Sequence, residues 1–418
     1  MKGGNSDWAR GIATLLIVPL FMLNWKSIYD DHTSSLQSIW PWLLVWGAVT
    51  AVVIFQLIPG LGSLLGIPSI GCYEWLDCES RRISSFPKAT VTHWSMFTVY
   101  WMVVWLVSRM ASSHIRLLAF FIAALAIFQA TYGIAVFSLG QETIFGIWPK
   151  EYYLSNTTGT FVNRNHFSGF IELTWPLVLS VVMLPRHRQG FDIAIGWRYL
   201  IALVISCLFT FAILGSQSRL GSISAIVGIL GWVILMKRRN STGVSGLRKF
   251  AAIGVVPMVI LGALWFGVDS LLYRFVNHGF SDRAQVWQSL FELPSTIWLT
   301  GIGAGTFIDF FRHIQTPNLK LLYEFAHSDI LEFILDYGIV GTVFILVAAI
   351  RWLRYWFPSH PNRLAIGALS GVLAIVVHST GDFNLHIPGV AVVFWVSLGI
   401  GVNSSGGLSV SKRVSTSV

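Results

Sequence analysis

Long apolar runs separated by short polar stretches dominate the chain, and this pattern predicts membrane-spanning helices. A spanning helix needs roughly 17–25 mainly apolar residues. The runs lie at 11–25, 40–58, 94–108, 115–139, 167–184, 199–214, 220–236, 250–268, 329–350, 364–378 and 387–402. A further apolar piece at 59–70 contains Gly and Pro and could be a short or re-entrant segment. We therefore expect about 11 or 12 spans.

The longest polar interruption, residues 269–328, falls between two late spans and predicts one large loop outside the membrane. The predicted fold is an all-α polytopic membrane protein with a single membrane domain, residues 1–402. A Ser- and Gly-rich tail at 403–418 is expected to be flexible.

Composition agrees with this pattern and excludes a soluble enzyme. The 418 residues are 54% hydrophobic and only 11% charged, whereas a soluble domain carries roughly 25% charged residues. The net charge of +9 is spread over short loops, so it indicates topology, and no basic face for nucleic acid is visible. Cys72 and Cys78 share one loop and could pair in an oxidising compartment, but their spacing does not indicate a zinc site.

Lysine and arginine alternate with other polar loops and predict the orientation. Basic residues concentrate at 186–198, 237–249, 351–363 and 412–413, and such loops are usually cytoplasmic. The alternate intervals, which should then face outward, are 140–166, 215–219, 269–328 and 378–386. The orientation of the amino terminus stays open, because 11 or 12 spans place it on different sides.

Two outward intervals carry arginine close to the membrane. Arg164 and His166 directly precede a span in the sequence NRNH, where a ligand site competes with a simple helix start capped by Asn165. Arg219 lies in the short turn SQSRLG between two apolar runs. A charge so near the bilayer interior is costly, roughly 2.5–3.5 kcal/mol on insertion scales, and usually faces a cavity or a partner. We favour a functional role for Arg219.

The stretch SDRAQVW predicts a helix that begins near Ser281 and ends before Pro294. Arg283 then occupies the first turn, where free backbone N–H groups already favour an anion. A bound phosphate and a surface salt bridge, for example with Asp282, explain this arginine equally well. The following GIGAGTF, from Gly301, lacks the spacing of a dinucleotide fingerprint and predicts a tight turn.

The large loop ends with His327 immediately before an apolar run that starts at Asp329. A histidine can accept a proton near neutral pH, and a nearby carboxylate such as Asp329 can orient it. Asp329, Glu332 and Asp336 share one helical face. Binding Arg or Lys of neighbouring helices is the favoured role for the last two. A final outward stretch, HSTGDFNLHIP from His378, favours structural hydrogen bonding.

Arginines and histidines on one membrane face suggest a diphosphate lipid head group. Arginine binds phosphate oxygens bidentately and stays charged. A leaving lipid diphosphate needs charge stabilisation and an incoming hydroxyl needs a base, as in glycosyl transfer from a polyprenyl-diphosphate sugar. Metal-dependent versions usually show paired aspartates. Asp30 and Asp31 are the nearest match but lie in an amino-terminal loop of uncertain side, so we favour a metal-free mechanism.

The stretches TGTFVNRNHFSGF, SQSRLG, SDRAQVW, GIGAGTF and AHSDILEFILDYGIVG, in this order, resemble the O-antigen ligase/O-antigen polymerase superfamily. The resemblance covers residues 158–345. It implies a multi-helix fold of the GT-C class in the bacterial inner membrane, with the active site facing the periplasm. The implied reaction is inverting and uses neither metal nor cofactor.

The resemblance also implies roles for individual residues. Arg219 and Arg283 match the arginines that hold the diphosphate, and His327 matches the histidine that activates the acceptor hydroxyl. Arg164 and His166 match a motif of less defined role, with Asp329 as a supporting residue. Ser328 departs from the pattern, since many relatives carry Asn there.

The implied donor is an undecaprenyl-diphosphate-linked glycan, and three acceptors remain open. The acceptor is lipid A–core for a ligase, a second lipid-linked repeat for a polymerase, or a pilin-type protein. A transporter or flippase of the same lipid would also need outward arginines, but inverted repeats with broken helices are not evident in the sequence.

Overall fold

The computed structural model describes residues 17–19, 21–22, 40–67, 82–184, 195–239, 281–315, 322–357 and 361–403. The predicted span at 250–268, most of that at 11–25, the Cys72 and Cys78 loop and the carboxy-terminal tail lie outside the described residues. So do Asp30 and Asp31.

Helices make up nearly all of the described chain. In chain order they are α1 (Trp40–Leu57), α2 (Leu61–Leu64), α3 (Pro87–Arg109), α4 (Ser112–Ser138), α5 (Arg164–Val182), α6 (Ile195–Ser216), α7 (Arg219–Arg239), α8 (Ser281–Phe291), α9 (Ser295–Thr300), α10 (Phe307–Ile314), α11 (Asp329–Trp356), α12 (Arg363–His378) and α13 (Pro388–Val402). A 3-10 helix, Asn384–His386, lies between α12 and α13. Two short strands, β1 (Thr143–Ile144) and β2 (Trp148–Pro149), form an antiparallel hairpin in which Thr143 pairs with Pro149.

Nine of the predicted apolar runs lie within the described residues, and each forms a helix. Most ends agree within four residues, but α3 begins at Pro87, seven residues before the predicted start, and α11 continues six residues further than predicted, to Trp356. Helices α1, α4, α6, α7 and α11 are long and apolar enough to cross a membrane, and α12 and α13 are shorter apolar helices. The predicted all-α polytopic membrane protein is therefore confirmed. The apolar piece at 59–70 forms only the single-turn helix α2 in its described part.

Two hydrophobic cores hold the membrane helices together. The larger joins α4, α5, α6, α7, α12 and α13, with α5 and α12 in closest association. The smaller joins α1, α3 and α11 through a tryptophan cluster that includes Trp42, Trp101 and Trp352, whose ring centroids lie 4.9–5.4 Å apart. The helices are thus fixed relative to one another by bulky interlocking side chains.

The large polar loop has a core of its own. Side chains of α8, α9 and α10 pack together, among them Leu290, Ile297 and Phe310. Tyr323, which precedes α11, and Leu335, within α11, complete this core. The predicted helix from Ser281 is present, and Pro294 caps the next helix. This small core anchors the polar loop on the membrane domain.

Two glycines, Gly301 and Gly338, let the large polar loop pack closely against α11. Gly338 (φ 70°, ψ 162°) breaks the helix, and a Cβ on it would lie 2.4 Å from the carbonyl oxygen of Leu299. Gly301, with φ 82°, passes beside it, and Gln56 donates to the carbonyl oxygens of Thr300 and Asp336 at 3.0 and 2.8 Å. The GIGAGTF stretch is therefore a tight turn packed on a helix, as its glycines predict.

The polar intervals predicted to face outward meet at one end of the helices. The amide of Thr157 donates to the carbonyl of Gly215, and that of Asp329 donates to the carbonyl of Asp382, at 3.0 Å each. Arginines of two basic intervals meet at the other end of α5, where Arg198 and Arg363 donate to the carbonyl oxygens of Leu184 and Met183. The basic loops and the other polar loops therefore lie at opposite ends of the helices.

Candidate functional site

The α12–α13 loop, residues 379–387, is the centre of the end that the sequence predicts to face outward. Its Asp382 is 1% exposed, and its Oδ2 accepts from Asn165 at 2.6 Å and from Arg283 at 3.1 Å. Oδ1 accepts from the amide of Phe383 at 2.9 Å and lies 3.7 Å from Nε2 of His166. Burial opposes ionisation, but Arg283, His166 and His378 together hold the pKa of Asp382 below its usual value.

Arg283 reaches this loop from the first turn of α8. Its guanidinium donates to the carbonyl oxygen of Gly381 and to the carboxylate of Asp382. A guanidinium has five N–H groups, and the side chain is 28% exposed. The two bonds therefore fix the direction of the arginine while leaving N–H groups to bind an anion.

Arg219 is the first residue of α7 and follows a tight turn after α6, as its short interval predicts. Gln217 has a φ of 57°, and Ser218 accepts the amide of Gly221 at 3.3 Å as a helix cap. Leu220, the next residue, contacts the α12–α13 loop, since its Cδ2 lies 3.1 Å from a Cβ placed on Gly381. Arg283 thus binds Gly381 directly, and Arg219 is the chain neighbour of Leu220, which packs on it.

The NRNH stretch begins α5 and supports the same loop. Asn163, and not the predicted Asn165, caps the helix, because its Oδ1 accepts the amide of Asn165 at 2.8 Å. The Asn165 side chain instead donates to Asp382. His166 is buried beside Asp382, and Arg164 lies over the ring of Tyr153 at 5.4 Å.

His327 stands at the end of the large loop in a left-handed conformation, with a φ of 55°. Its neighbours hold it there: the amide of Ala326 donates to Oε2 of Glu332 at 2.8 Å, and Ser328 caps α11 by accepting the amide of Leu331 at 3.2 Å. For a non-glycine residue this conformation costs on the order of 1–3 kcal/mol and is typical of functional sites.

Asp329 is directed away from His327 and towards the α12–α13 loop. Its carboxylate accepts from Ser379 at 2.7 Å, from the amide of Leu385 at 3.1 Å and from Nδ1 of His386 at 2.8 Å. The suggestion that Asp329 orients His327 is therefore not what its contacts show. It instead fixes the loop against which His327 packs.

His386 contacts two of the three carboxylates that share one face of α11. Nδ1 contacts Asp329 and Nε2 lies 3.2 Å from Oε1 of Glu332. Burial opposes the positive charge, but Glu332 and Asp329 hold the pKa of His386 well above its usual range. Glu332 thus binds a histidine, and Asp336 accepts a hydrogen bond from the amide of Gly305 at 3.3 Å. For both carboxylates we had expected Arg or Lys partners from neighbouring helices.

Phe383 joins the two histidines named by the sequence. Its ring centroid lies 4.7 Å from that of His166 and 5.2 Å from that of His327, both edge to face. Phe325 stacks on the same ring at 4.6 Å. Such geometry stabilises aromatic pairs beyond simple burial, so Phe383 sets the position of the His327 ring.

A second buried pair lies deeper, between α5 and α12. Nδ1 of His378 is 2.8 Å from Oε1 of Glu172, and both side chains are almost fully buried. Glu172 was visible in the sequence as a carboxylate inside an apolar run, which is itself a signal of a partner. The pair ties the helix that begins at Arg164 to the helix that leads into the loop.

The structure therefore gathers Arg219, Arg283, His166, His327 and Asp329 around one loop. Sequence reasoning did not identify Asp382 as the centre of the site or the contacts of His386 with Asp329 and Glu332. It also did not identify the contacts of Phe383 with His166 and His327. Among the residues that the structure describes, no group of three His, Cys, Asp or Glu side chains has the arrangement to hold a metal ion.

Comparison with known proteins gives one family. A family model described as O-antigen ligase matches residues 200–346, which include Arg219, Arg283, His327 and Asp329. Among curated proteins, none matches the chain. A solved structure titled "Structural coordination of polymerization and crosslinking by a peptidoglycan synthase complex" is similar with a TM-score of 0.40 and 12% identity, over 87% of this chain and 96% of that chain. A likeness at that level carries no argument.

Proposed function

We propose that this chain, of which residues 200–346 match a family model described as O-antigen ligase, transfers a glycan from undecaprenyl diphosphate to an acceptor hydroxyl. The transfer inverts the anomeric carbon and requires no metal ion. One observation supports this most: Arg283 and His327 both contact the α12–α13 loop, and Leu220, the residue after Arg219, packs on it. The enzyme acts at the periplasmic face of the bacterial inner membrane.

The arginines bind the diphosphate of the donor. Arg283 is held by Gly381 and Asp382, so its remaining N–H groups are preorganised for phosphate oxygens. The amino-terminal turns of α7 and α8 add partial positive charge at the same place. Charge that develops on the leaving diphosphate is thereby stabilised.

His327 acts as the general base. It takes the proton of the acceptor hydroxyl as that oxygen forms a bond to the anomeric carbon, and the bond from this carbon to the phosphate oxygen breaks. Undecaprenyl diphosphate leaves with the electron pair. The left-handed backbone of His327 and its contact with Phe383 hold the ring in place, which is the positioning that such a step requires.

Purified protein tests the proposal directly. Protein in vesicles is given an undecaprenyl-diphosphate-linked glycan together with lipid A–core, a second lipid-linked repeat or a pilin-type protein, and mass spectrometry identifies the product. We expect a new glycosidic bond on one of these acceptors and unchanged transfer after chelation. Glycan that crosses the bilayer without forming a bond would show a transporter, and a strict Mg²⁺ requirement would defeat the metal-free mechanism.

Substitution of the base separates binding from chemistry. His327→Ala should reduce the transfer rate by at least about 100-fold, the usual contribution of a general base, while donor binding is retained. Control His313→Ala alters an exposed histidine of α10, whose ring Nδ1 lies 2.7 Å from the carbonyl oxygen of Asp309, and should leave the rate unchanged. Full activity of His327→Ala would remove His327 as the base.

A further inference from the structure

The β1–β2 hairpin, residues 143–149, exposes large apolar side chains on a connection that the sequence predicts to face outward. Phe145, Ile147 and Trp148 are 50%, 68% and 42% exposed. Leu139 and Tyr152, which flank the hairpin, are exposed as well. Large exposed apolar patches mark contacts with a membrane or with another protein. The roles proposed above do not use this surface.

The hairpin folds back along α4 and does not extend beyond its end. The ring centroid of Phe145 lies 4.9 Å from that of Tyr132 and 6.5 Å from that of Phe128, and all three rings are stacked. Because α4 ends at Ser138, Tyr132 and Phe128 lie about 9 and 15 Å before its end at roughly 1.5 Å per residue. Helical side chains also lean towards the amino terminus of their helix, which moves both rings further from that end.

This position places the hairpin at the boundary of the bilayer. Helix α4 has 27 residues and is therefore about 40 Å long, whereas the hydrocarbon layer is roughly 30 Å thick. A centred α4 extends about 5 Å beyond the hydrocarbon on each side. The ring of Phe145 then falls near the border between head groups and hydrocarbon, where tryptophan and tyrosine are enriched in membrane proteins.

The face of α4 that meets the hairpin is continuous with an exposed apolar surface of the span. Phe121 and Phe128 are both exposed on this helix, which is long and apolar enough to cross a membrane. Phe121, Phe128 and Tyr132 follow one another at intervals of seven and four residues, which places them on one helical face. The hairpin therefore extends a surface that faces lipid.

The backbone of the hairpin is suited to a region with little water, where N–H groups need partners within the protein. The amide of Phe145 donates to the hydroxyl oxygen of Tyr132 at 2.6 Å. The amide of Ile147 donates to the carbonyl oxygen of Ile144 at 3.1 Å. The first of these bonds also fixes the hairpin to α4.

Charged side chains lie at the open end of the hairpin and not at its tip. Residues 143–149 contain none, whereas the exposed Glu142 directly precedes β1. The exposed Glu151 follows β2 by two residues. Membrane binding of such a segment depends on its buried apolar area, and carboxylates add no attraction to anionic lipid.

Backbone strain sets this connection apart from other loops. Four non-glycine residues of the described chain have a positive φ. Two of them, Gln217 and His327, belong to the candidate site, and the other two are Phe145, with a φ of 53°, and Tyr153, with a φ of 60°. Such conformations persist where the surrounding structure enforces them, and they cluster at functional positions.

We propose that the β1–β2 hairpin inserts into the membrane leaflet on the side of the candidate site, held at that depth by Tyr132. Phe145, Ile147 and Trp148 then lie at the border between lipid head groups and hydrocarbon. The partner is lipid and not another protein, because the hairpin continues the lipid-facing surface of α4 at the level of this border. The inference goes beyond the proposed glycosyl transfer and does not depend on it.

Spin labelling measures the environment of the hairpin directly. Full-length protein whose own cysteines are replaced by serine carries one nitroxide and is reconstituted in phosphatidylcholine vesicles. Collisions of the nitroxide with O₂, which concentrates in lipid, are compared with collisions with a water-soluble nickel chelate. At Ile147→Cys we expect O₂ collisions to dominate, as at Phe121→Cys on the lipid-facing surface of α4. At Glu142→Cys, at the open end of the hairpin, collisions with the nickel chelate should dominate.

Two results at Ile147→Cys would overturn the inference. Dominant collisions with the nickel chelate would place the hairpin in water. Few collisions with either reagent would show a protein contact, such as one with a second copy of the chain. Addition of phosphatidylglycerol to the vesicles should leave the ratio of O₂ to nickel collisions unchanged, and a ratio that requires the anionic lipid would contradict apolar insertion.

A matched pair of variants tests the anchor. Tyr132→Phe removes the hydroxyl that accepts the amide of Phe145, so this amide loses its partner where water is scarce. The ratio of O₂ to nickel collisions at Ile147→Cys should fall severalfold, and an unchanged ratio at Phe121→Cys shows that the fold is retained. Tyr152→Phe, which alters an exposed tyrosine outside the hairpin, should have no effect. Equal ratios in Tyr132→Phe and Tyr152→Phe would overturn the assigned anchor.

Discussion

At the scale of single residues, His327 shows how the site is held in a strained conformation. A left-handed backbone is unfavourable for histidine, yet Glu332 binds the amide before it and Ser328 caps the helix after it. Ser328 also donates to the carbonyl of Ser379 at 3.3 Å. A serine therefore both caps α11 and ties it to the α12–α13 loop.

Arg283 should be sensitive to replacement by lysine. Lysine keeps the charge but cannot donate to Gly381, Asp382 and a phosphate in a fixed plane. For Arg283→Lys we expect KM for the undecaprenyl-diphosphate donor to rise about tenfold, which corresponds to about 1.4 kcal/mol, measured by initial rates. Control Arg198→Lys, at the opposite end of the helices, should retain the wild-type KM. An undiminished Arg283→Lys enzyme would show that charge alone suffices.

His386 should make stability depend on pH. Its raised pKa means that the ion pairs with Glu332 and Asp329 contribute fully below the unfolded pKa, roughly 6.5, and that this contribution is lost as the pH rises through the folded pKa. His386→Gln should destabilise the protein by about 3 kcal/mol at pH 6.

The measurement is thermal unfolding in detergent between pH 6 and pH 10. The difference in Tm between wild type and His386→Gln should shrink as the pH rises. His114→Gln, at an exposed position at the start of α4, should give no such difference. A difference that grows with pH would contradict the assigned charge.

Sequence alone identified the charged residues of the site but not how they are paired. Arg219, Arg283 and His327 are visible because charge in an outward interval of an apolar chain is rare. The partner of Arg283 is Asp382, 99 residues further along the chain, and no local pattern specifies that distance. For the same reason the sequence left open whether Asp329 orients its neighbour His327, and it gave no sign of the contact with His386.

At the scale of elements, α11 depends on its break at Gly338. The break lets Gly301 and the carbonyl of Thr300 approach the helix, which fixes the polar loop on the membrane domain. Apolar periodicity predicted this helix but not the interruption, because a glycine within a helical pattern also fits a regular helix. The tertiary contact with α9 decides between the two.

Gly338→Ala should therefore destabilise the protein strongly. A Cβ would meet the carbonyl of Leu299, and alanine disfavours a φ of 70°. We expect a loss of at least about 2 kcal/mol, measured by denaturant or thermal unfolding in detergent. Gly47→Ala in α1, where a Cβ would meet nothing within 4 Å, is the matched control and should be neutral or slightly stabilising. Equal stability of both variants would show that the break is not required.

At the scale of the whole molecule, charge separates the two ends of the helices. Arg198 and Arg363 lie at one end, whereas Arg283 and the α12–α13 loop lie at the other. This separation was predictable, because the positive-inside rule depends only on which loops carry lysine and arginine. A cavity of about 1820 Å³ beside α11 was not predictable, since residues of seven helices distant in the chain line it: α1, α3, α4, α5, α10, α11 and α13.

Labelling in intact cells tests the orientation. In protein whose own cysteines are replaced by serine, Glu142→Cys should react with a membrane-impermeant thiol reagent once the outer membrane is permeabilised. Lys237→Cys should react only after the inner membrane is opened as well. Both positions are exposed, so burial does not explain a difference. The reverse pattern would place the candidate site in the cytoplasm.

The division of the α12–α13 loop also has a kinetic consequence. Gly381 and Asp382 bind Arg283, while Phe383 and residues 385–387 border a cavity of about 1820 Å³ beside α11. If the proposed donor binds beside Gly381 and the acceptor on the Phe383 side, both occupy the protein together, and neither has to leave before the other arrives. Initial rates measured against both should then give intersecting double-reciprocal lines, and released undecaprenyl diphosphate should inhibit competitively against the donor but not against the acceptor.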